Sequence, residues 1–197
     1  MGIIDKIKQI FSKPDKFFSN LNKEKTVQDA LLFYVVLSAI SMVLGYFVTV
    51  IFGNFFTKFI IDIIGLGLTI PGVNPLDLIS STLIGYVFNV FGTFLIAGIL
   101  YVWLLIFKGN QGYVKAYQLY IYAETPSLLL GWIPFIGFFA WIYSLVLLIT
   151  GTKTIYKFSS LKATLIYLIP IVIFIVIAII ALAIFVTMLK NSGPFFL

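Results

Sequence analysis

The stretch "YVKAYQLYIYAETPSLLL", residues 113–130, carries a single glutamate, Glu124, two residues ahead of a proline. Tyr113, Tyr117, Tyr120 and Glu124 step by four, three and four, so one helical face carries all of them. Pro126 has no N–H to donate to the carbonyl of Tyr122, which frees an acceptor at the same level. Asn89, in an earlier apolar stretch, adds a side-chain amide. An acid, phenols, an amide and a freed carbonyl have the chemistry to hold a proton, a cation or a lipid headgroup. The same groups also serve as glue, tying helices together by hydrogen bonds. Both readings stay open for Glu124, Tyr117, Tyr120, Pro126 and Asn89.

Catalytic chemistry has little to work with. The chain has no histidine and no cysteine, which removes triads, thiolate nucleophiles and Cys/His metal sites. Glu124 has no second carboxylate in the apolar stretches to act with as an acid–base pair. A hard-cation site would need several convergent oxygen ligands, and few are present. The sequence therefore predicts no enzyme, no metal and no cofactor.

The elements that must position these residues are membrane helices. Of the 197 residues, 61% are hydrophobic and 10% charged, with a mean hydropathy of +1.13. Soluble domains carry about a quarter charged residues. The fold expected is all-α and polytopic, with five transmembrane helices plus N-terminal and loop amphipathic helices in the interface. The spans fall at about 27–52, 76–107, 113–130, 135–149 and 163–189, within one membrane domain at 30–190. With Tyr113 at the cytosolic edge, Glu124 lies roughly 16 Å along the helix, near the middle of a core about 30 Å thick. A carboxylate at that depth needs hydroxyl donors or a bound proton, because an unpaired charge there is costly.

Residues 1–29 form a basic segment expected on the cytosolic side. In "MGIIDKIKQIF", Ile3, Ile4, Ile7, Ile10 and Phe11 fall at helical spacing. That pattern predicts a short helix in the headgroup layer, with Lys6, Lys8, Lys13 and Lys16 touching lipid. A frayed polar tail is the alternative. Residues 53–64 predict a second interfacial helix, or a re-entrant loop, before a Gly/Pro turn. Asn74-Pro75 predicts a helix start, and Lys108-Gly109 and Gly151 predict helix ends. Residues 191–197 form a short tail.

Lysine placement sets orientation. Six lysines precede the first span, and Lys108, Lys115, Lys153, Lys157 and Lys162 flank the turns after the second and fourth. The N-terminus is expected inside and the C-terminus outside, in the cell membrane for a prokaryotic protein. Every basic residue is lysine, a poorer fork for phosphate than arginine. The net charge of +6 is thus assigned to membrane lipids, with no nucleic-acid partner.

Three stretches together carry a family resemblance: "SKPDKFFSNL", then "KGNQGYVKAYQLYIYAETPSLLLGWIPFIGFFAWIYSLVLLITG" with its YAxxP element, then "SSLKATLIYLIPIVI". The chain resembles the Yip domain family of Ypt/Rab-interacting membrane proteins. The resemblance implies five spans, a cytosolic N-terminus and association with other membrane proteins, as homo- or hetero-oligomers. Better-studied eukaryotic members associate with prenylated small GTPases. Their long cytosolic N-terminal region is missing here, so small GTPase binding is not carried over. The short head looks like that of prokaryotic members. The function expected is a membrane scaffold or adaptor, with a small transporter or channel subunit using Glu124 as the alternative.

Overall fold

Cap and turn residues cut the apolar sequence into rods. The computed structural model describes residues 2–21, 24–64 and 74–191. They fold into α1 (Ile3–Ser12), α2 (Pro14–Asn20), α3 (Gln28–Ile64), α4 (Pro75–Ile106), α5 (Tyr113–Ala123), α6 (Thr125–Leu130), α7 (Ile136–Tyr156) and α8 (Ser160–Asn191). No strand occurs among the described residues. The protein is an all-α, polytopic membrane protein. Four segments are long and apolar enough to cross a bilayer: Gln28–Ile63, Pro75–Ile106, Ile136–Tyr156 and Ser160–Phe185. Residues 113–130, expected as one span, form the two short helices α5 and α6.

Several boundaries follow from single residues. Asn74 caps α4: its side-chain oxygen accepts from the Leu76 N–H at 3.1 Å, and Pro75 occupies the first turn. At the other end Lys108, not Gly109, adopts the left-handed conformation, with φ 65°. Gly109 closes the helix with Lys108, its N–H donating to the Leu104 carbonyl at 2.9 Å, and it also serves close packing, since a Cβ there would lie 2.9 Å from the Tyr156 ring. Gly151 likewise does not end α7. The helix runs on to Tyr156, and Lys157 at φ 54° closes it. A Cβ on Gly151 would lie 2.4 Å from Leu119 Cδ1 and 2.9 Å from Phe18 Cε1, so its smallness seats α2 and α5 on α7.

Residues 53–64 differ from the expected separate interfacial helix: they extend α3 without a break to 37 residues. A lone Gly53 costs only about 1 kcal/mol in a helix, and no proline intervenes. Phe55 and Phe59 stack one turn apart at 6.2 Å. The Gly/Pro turn that follows, Lys23 and the tail beyond Asn191 lie outside the described residues.

The bundle has two ends. At one, Thr154 Oγ1 of α7 donates to Asp15 of α2 at 3.3 Å. Lys115 of α5 donates to the carbonyls of Leu21 and Glu24, the latter at 2.6 Å. Lys162 of α8 donates to the Phe107 carbonyl at 2.8 Å. The N-terminal head and the turns carrying Lys108, Lys115, Lys157 and Lys162 thus gather together. At the far end the Phe56 ring of α3 meets Phe135, ahead of α7, at 6.1 Å. The chain runs out along α3, back along α4, out along α5–α6, back along α7 and out along α8.

The middle of the bundle is α5. Ala116, Tyr117, Gln118, Leu119, Ile121, Tyr122 and Ala123 are all buried there, and α3, α4 and α7 pack around it. The outer helices expose large apolar side chains, such as Phe88 and Phe91 on α4 and Phe174 on α8. This inverts the layout of a soluble domain. Hydrocarbon satisfies the apolar rods, while the helix richest in hydroxyls and amides finds partners only among other helices.

Candidate functional site

Pro126 breaks the third passage of the bundle. Its ring cannot continue the hydrogen-bond ladder, and the helix divides at Glu124 into α5 and α6. The Tyr122 carbonyl that proline frees is not left open. Thr125 Oγ1 donates to it at 2.7 Å, a closure the tyrosine pattern gave no sign of. Pro126 itself is buried. Its part is therefore to place Glu124 at a break in the helix rather than to offer a carbonyl.

Glu124 lines an open cavity of about 400 Å³ formed by three sets of side chains. From α3 come Tyr34, Ser38 and Ser41; from α4, Thr82, Gly85, Tyr86 and Asn89; from the α5–α6 break, Tyr120, Glu124 and Ser127. Three of the five residues singled out in sequence, Glu124, Tyr120 and Asn89, meet in this wall. Tyr117 does not line it. That side chain is fully buried, stacks on Phe94 at 4.9 Å and shares a hydrogen bond with Thr93 Oγ1 at 3.2 Å.

Hydrogen bonds hold the wall in place. The Tyr34 hydroxyl donates to Asn89 Oδ1, which ties α3 to α4. The Tyr86 hydroxyl donates to the Val35 carbonyl at 3.0 Å, and Ser38 Oγ to the Tyr34 carbonyl at 2.6 Å. Ser127 Oγ lies 2.8 Å from Ser144 Oγ of α7. Among the described residues no lysine lines the cavity, and no three His, Cys, Asp or Glu side chains converge as a metal would need. The chemistry of the cavity is that of one acid, several hydroxyls and an amide between tyrosine rings.

A second polar cluster sits at the head end, where α1 docks on the bundle. Lys6, expected to contact lipid, is 6% exposed. Its Nζ donates to Glu24 Oε1 at 2.9 Å and to the Tyr122 hydroxyl at 2.6 Å. The Tyr122 hydroxyl donates in turn to Glu24 Oε2 at 3.0 Å. Gln118 Nε2 donates to the Thr26 carbonyl at 2.8 Å. The rings of Phe17 and Phe33 meet the Tyr122 ring edge-on at 5.0 and 5.2 Å. Lys6 is therefore an internal ion-pair partner, turned inward because it shares the stripe of Ile3 and Ile10. Lys8, Lys13 and Lys16 are exposed.

Sequence signals for the missed residues existed. Tyr34, Ser38 and Ser41 step by four and three, and Thr82, Gly85 (or Tyr86) and Asn89 repeat that spacing. Each set is one polar stripe on an apolar helix. What no single stripe states is that these two face each other across Glu124.

The Yip1 domain model matches residues 8–183 of the chain. No curated protein and no solved structure matches it. The matched region takes in α2 to α7, the cavity around Glu124 and all but the last turns of α8, and it begins two residues after Lys6 of the head cluster.

Proposed function

The chain belongs to the Yip1 domain family, and from that premise we propose that it is a non-enzymatic membrane scaffold or adaptor, crossing the membrane five times with its head on the cytosolic side. The observation that carries this reading is the docked head. α1 and α2 are fixed to the bundle by the Lys6–Glu24 pair, 2.9 Å long, and by Phe17 and Phe18, both buried. What remains outside is a rigid platform bearing Lys8, Lys13 and Lys16 beside the basic turns at Lys108 and Lys157. A platform fixed in this way presents its cations without ordering a loose tail on binding. Anionic lipid attracts such lysines by about 1 kcal/mol each, and acidic faces of other membrane proteins are the matching partners.

The test is affinity purification in mild detergent of the wild-type protein and of a Lys8→Gln/Lys13→Gln/Lys16→Gln variant. Specific membrane proteins should co-purify with the first and fall away from the second. Identical recovery with both would refute the platform reading. A second reading, a small transporter or channel subunit, is favoured by the cavity around Glu124. Reconstitution into liposomes reads it directly: ion or proton flux lost in Glu124→Gln supports it, and no flux for any ion tested removes it.

A further inference from the structure

We infer that the cavity around Glu124 is a binding site for a small ammonium group that also bears an oxygen, the chemistry of an ethanolamine or choline head, carried on a lipid or free. Charge makes the first case. Among the described residues, Glu124 is the one acid of the wall and no lysine lines it. Across the described residues the one salt bridge, Lys6–Glu24, lies in the other cluster. A carboxyl set among apolar helices favours a cationic guest over a neutral or anionic one.

The walls make the second case. Tyr34, Tyr86 and Tyr120 all line the cavity with Glu124. Tyrosine rings beside an acid are how proteins hold ammonium groups, the ring faces attracting the cation while excluding water. A hard metal ion is best held by several carboxylates among its oxygen ligands, and among the described residues no three acidic side chains gather. The Tyr34 and Tyr86 hydroxyls are held away by their bonds to Asn89 and the Val35 carbonyl. Tyr34 is itself buried, so the ring surfaces left to serve are those of Tyr86 and Tyr120, both half-buried. The Tyr120 hydroxyl has no hydrogen bond among the described residues; it supplies an acceptor for the N–H of an ethanolamine head, while a choline head, which has no N–H, would rest on ring faces alone.

Asn89 makes the third case. Its oxygen is taken by Tyr34, so its amide nitrogen remains as a donor. An ammonium has no acceptor to meet it, but a hydroxyl or ester oxygen two carbons away does. At about 400 Å³ the space falls within the usual range for small-molecule sites, about 300–1,000 Å³. Binding is distinct from transport, so this inference and the flux reading above fail separately.

The experiment uses the full chain purified in detergent and washed free of lipid. Thermal unfolding is followed while ethanolamine, choline or tetramethylammonium is titrated against sodium and potassium chloride at equal ionic strength. In parallel, the protein is taken into nanodiscs of mixed phosphatidylethanolamine, phosphatidylcholine and phosphatidylglycerol, and retained lipid is identified by native mass spectrometry. Two variants accompany it. Glu124→Gln removes the charge. Gly85→Leu fills the space, since nothing lies within 4 Å of a Cβ built there, and it leaves the acid in place.

Either of two results supports the site. One is a saturable rise in unfolding temperature with ethanolamine or choline but not with the metal salts, which assigns a free amine. The other is selective retention of ethanolamine or choline lipids, which assigns a headgroup. In both, Glu124→Gln should weaken binding by about tenfold or more, the size of one charge-assisted contact, and Gly85→Leu should abolish it. Absence of both effects overturns the proposal, as does equal binding by wild type and the variants, or an equal effect of sodium. Should Glu124→Gln fail to fold, Gly85→Leu decides alone.

Discussion

Replacing Lys6 by methionine should loosen the head without unfolding the bundle. Methionine matches the length and apolar stem of lysine and removes the charge. Two contacts go with it, the 2.9 Å bond to Glu24 and the 2.6 Å bond to the Tyr122 hydroxyl. Breaking one side of a fully buried ion pair costs roughly 3–5 kcal/mol, because the other charge is stranded. Glu24 is only partly stranded. Its side chain is 22% exposed, against 8% for Lys6, and it keeps the Tyr122 O–H at 3.0 Å. Water on the open side lowers the expected loss to about 2 kcal/mol, a rise of roughly 30-fold in the opened population. Hydrogen exchange of the α1 amides in detergent micelles reads that population directly, while amides of α4 and α7 serve as an internal control. Adding Glu24→Gln removes the stranded charge, so the double variant should lose less than the two single losses combined, by about 1 kcal/mol or more. Unchanged α1 exchange in Lys6→Met, or strictly additive losses, would refute the assignment of Lys6 as the pin of the head.

Three further outcomes are expected. Glu124→Gln should keep thermal stability in detergent within about 0.5 kcal/mol, since it preserves size and hydrogen-bonding capacity, whereas Glu124→Leu should lose about 0.6–2 kcal/mol if the carboxyl ties helices together by a hydrogen bond; equal stability of the two would mean that Glu124 ties nothing together. Gly151→Ala places a Cβ 2.4 Å from Leu119 Cδ1, so overpacking should cost about 1–3 kcal/mol and raise proteolysis of the head, and a wild-type digestion pattern would show that α2 does not depend on that contact. In a chain without native cysteine, single cysteines at Ser12 and Lys157 should be protected from an impermeant thiol reagent in intact cells, while one at Ser192 reacts; labelling at position 157 from outside would exclude the proposed orientation.

What was legible in the sequence was mostly what hydrocarbon dictates. Apolar run length placed α3, α4, α7 and α8, and the Asn74-Pro75 pair placed the start of α4 to the residue. Glycine was the less reliable marker. Gly109 does close α4, its N–H bonding the Leu104 carbonyl, but Gly151 lies inside α7 and is small because Leu119 and Phe18 occupy the space of its missing Cβ. A single sequence shows that a residue is small, not which neighbour requires it. The extension of α3 through residues 53–64 was obscured for a related reason. Amphipathic spacing is the same whether a helix lies along the interface or continues a span beyond it.

Polar residues show where pattern reading has to change inside a membrane protein. Lys6 was placed on the polar side of α1 because it is charged, although positions 3, 6, 7 and 10 form one helical stripe with Ile3, Ile7 and Ile10. Spacing put it on the buried face, and residue type overruled spacing. In water that choice is usually sound, because an unpaired lysine avoids the core. Here the bundle behind the stripe offers Glu24 and Tyr122 as partners. The same logic governs Glu124, whose neighbours Tyr34, Ser38, Thr82 and Asn89 come from two helices that each look like ordinary lipid-facing rods with a few small or polar residues. In a chain so short of charge, a polar group on an apolar stripe is best read as half of a contact. Its other half is sought first among polar stripes on other helices, before lipid or water is assigned to it.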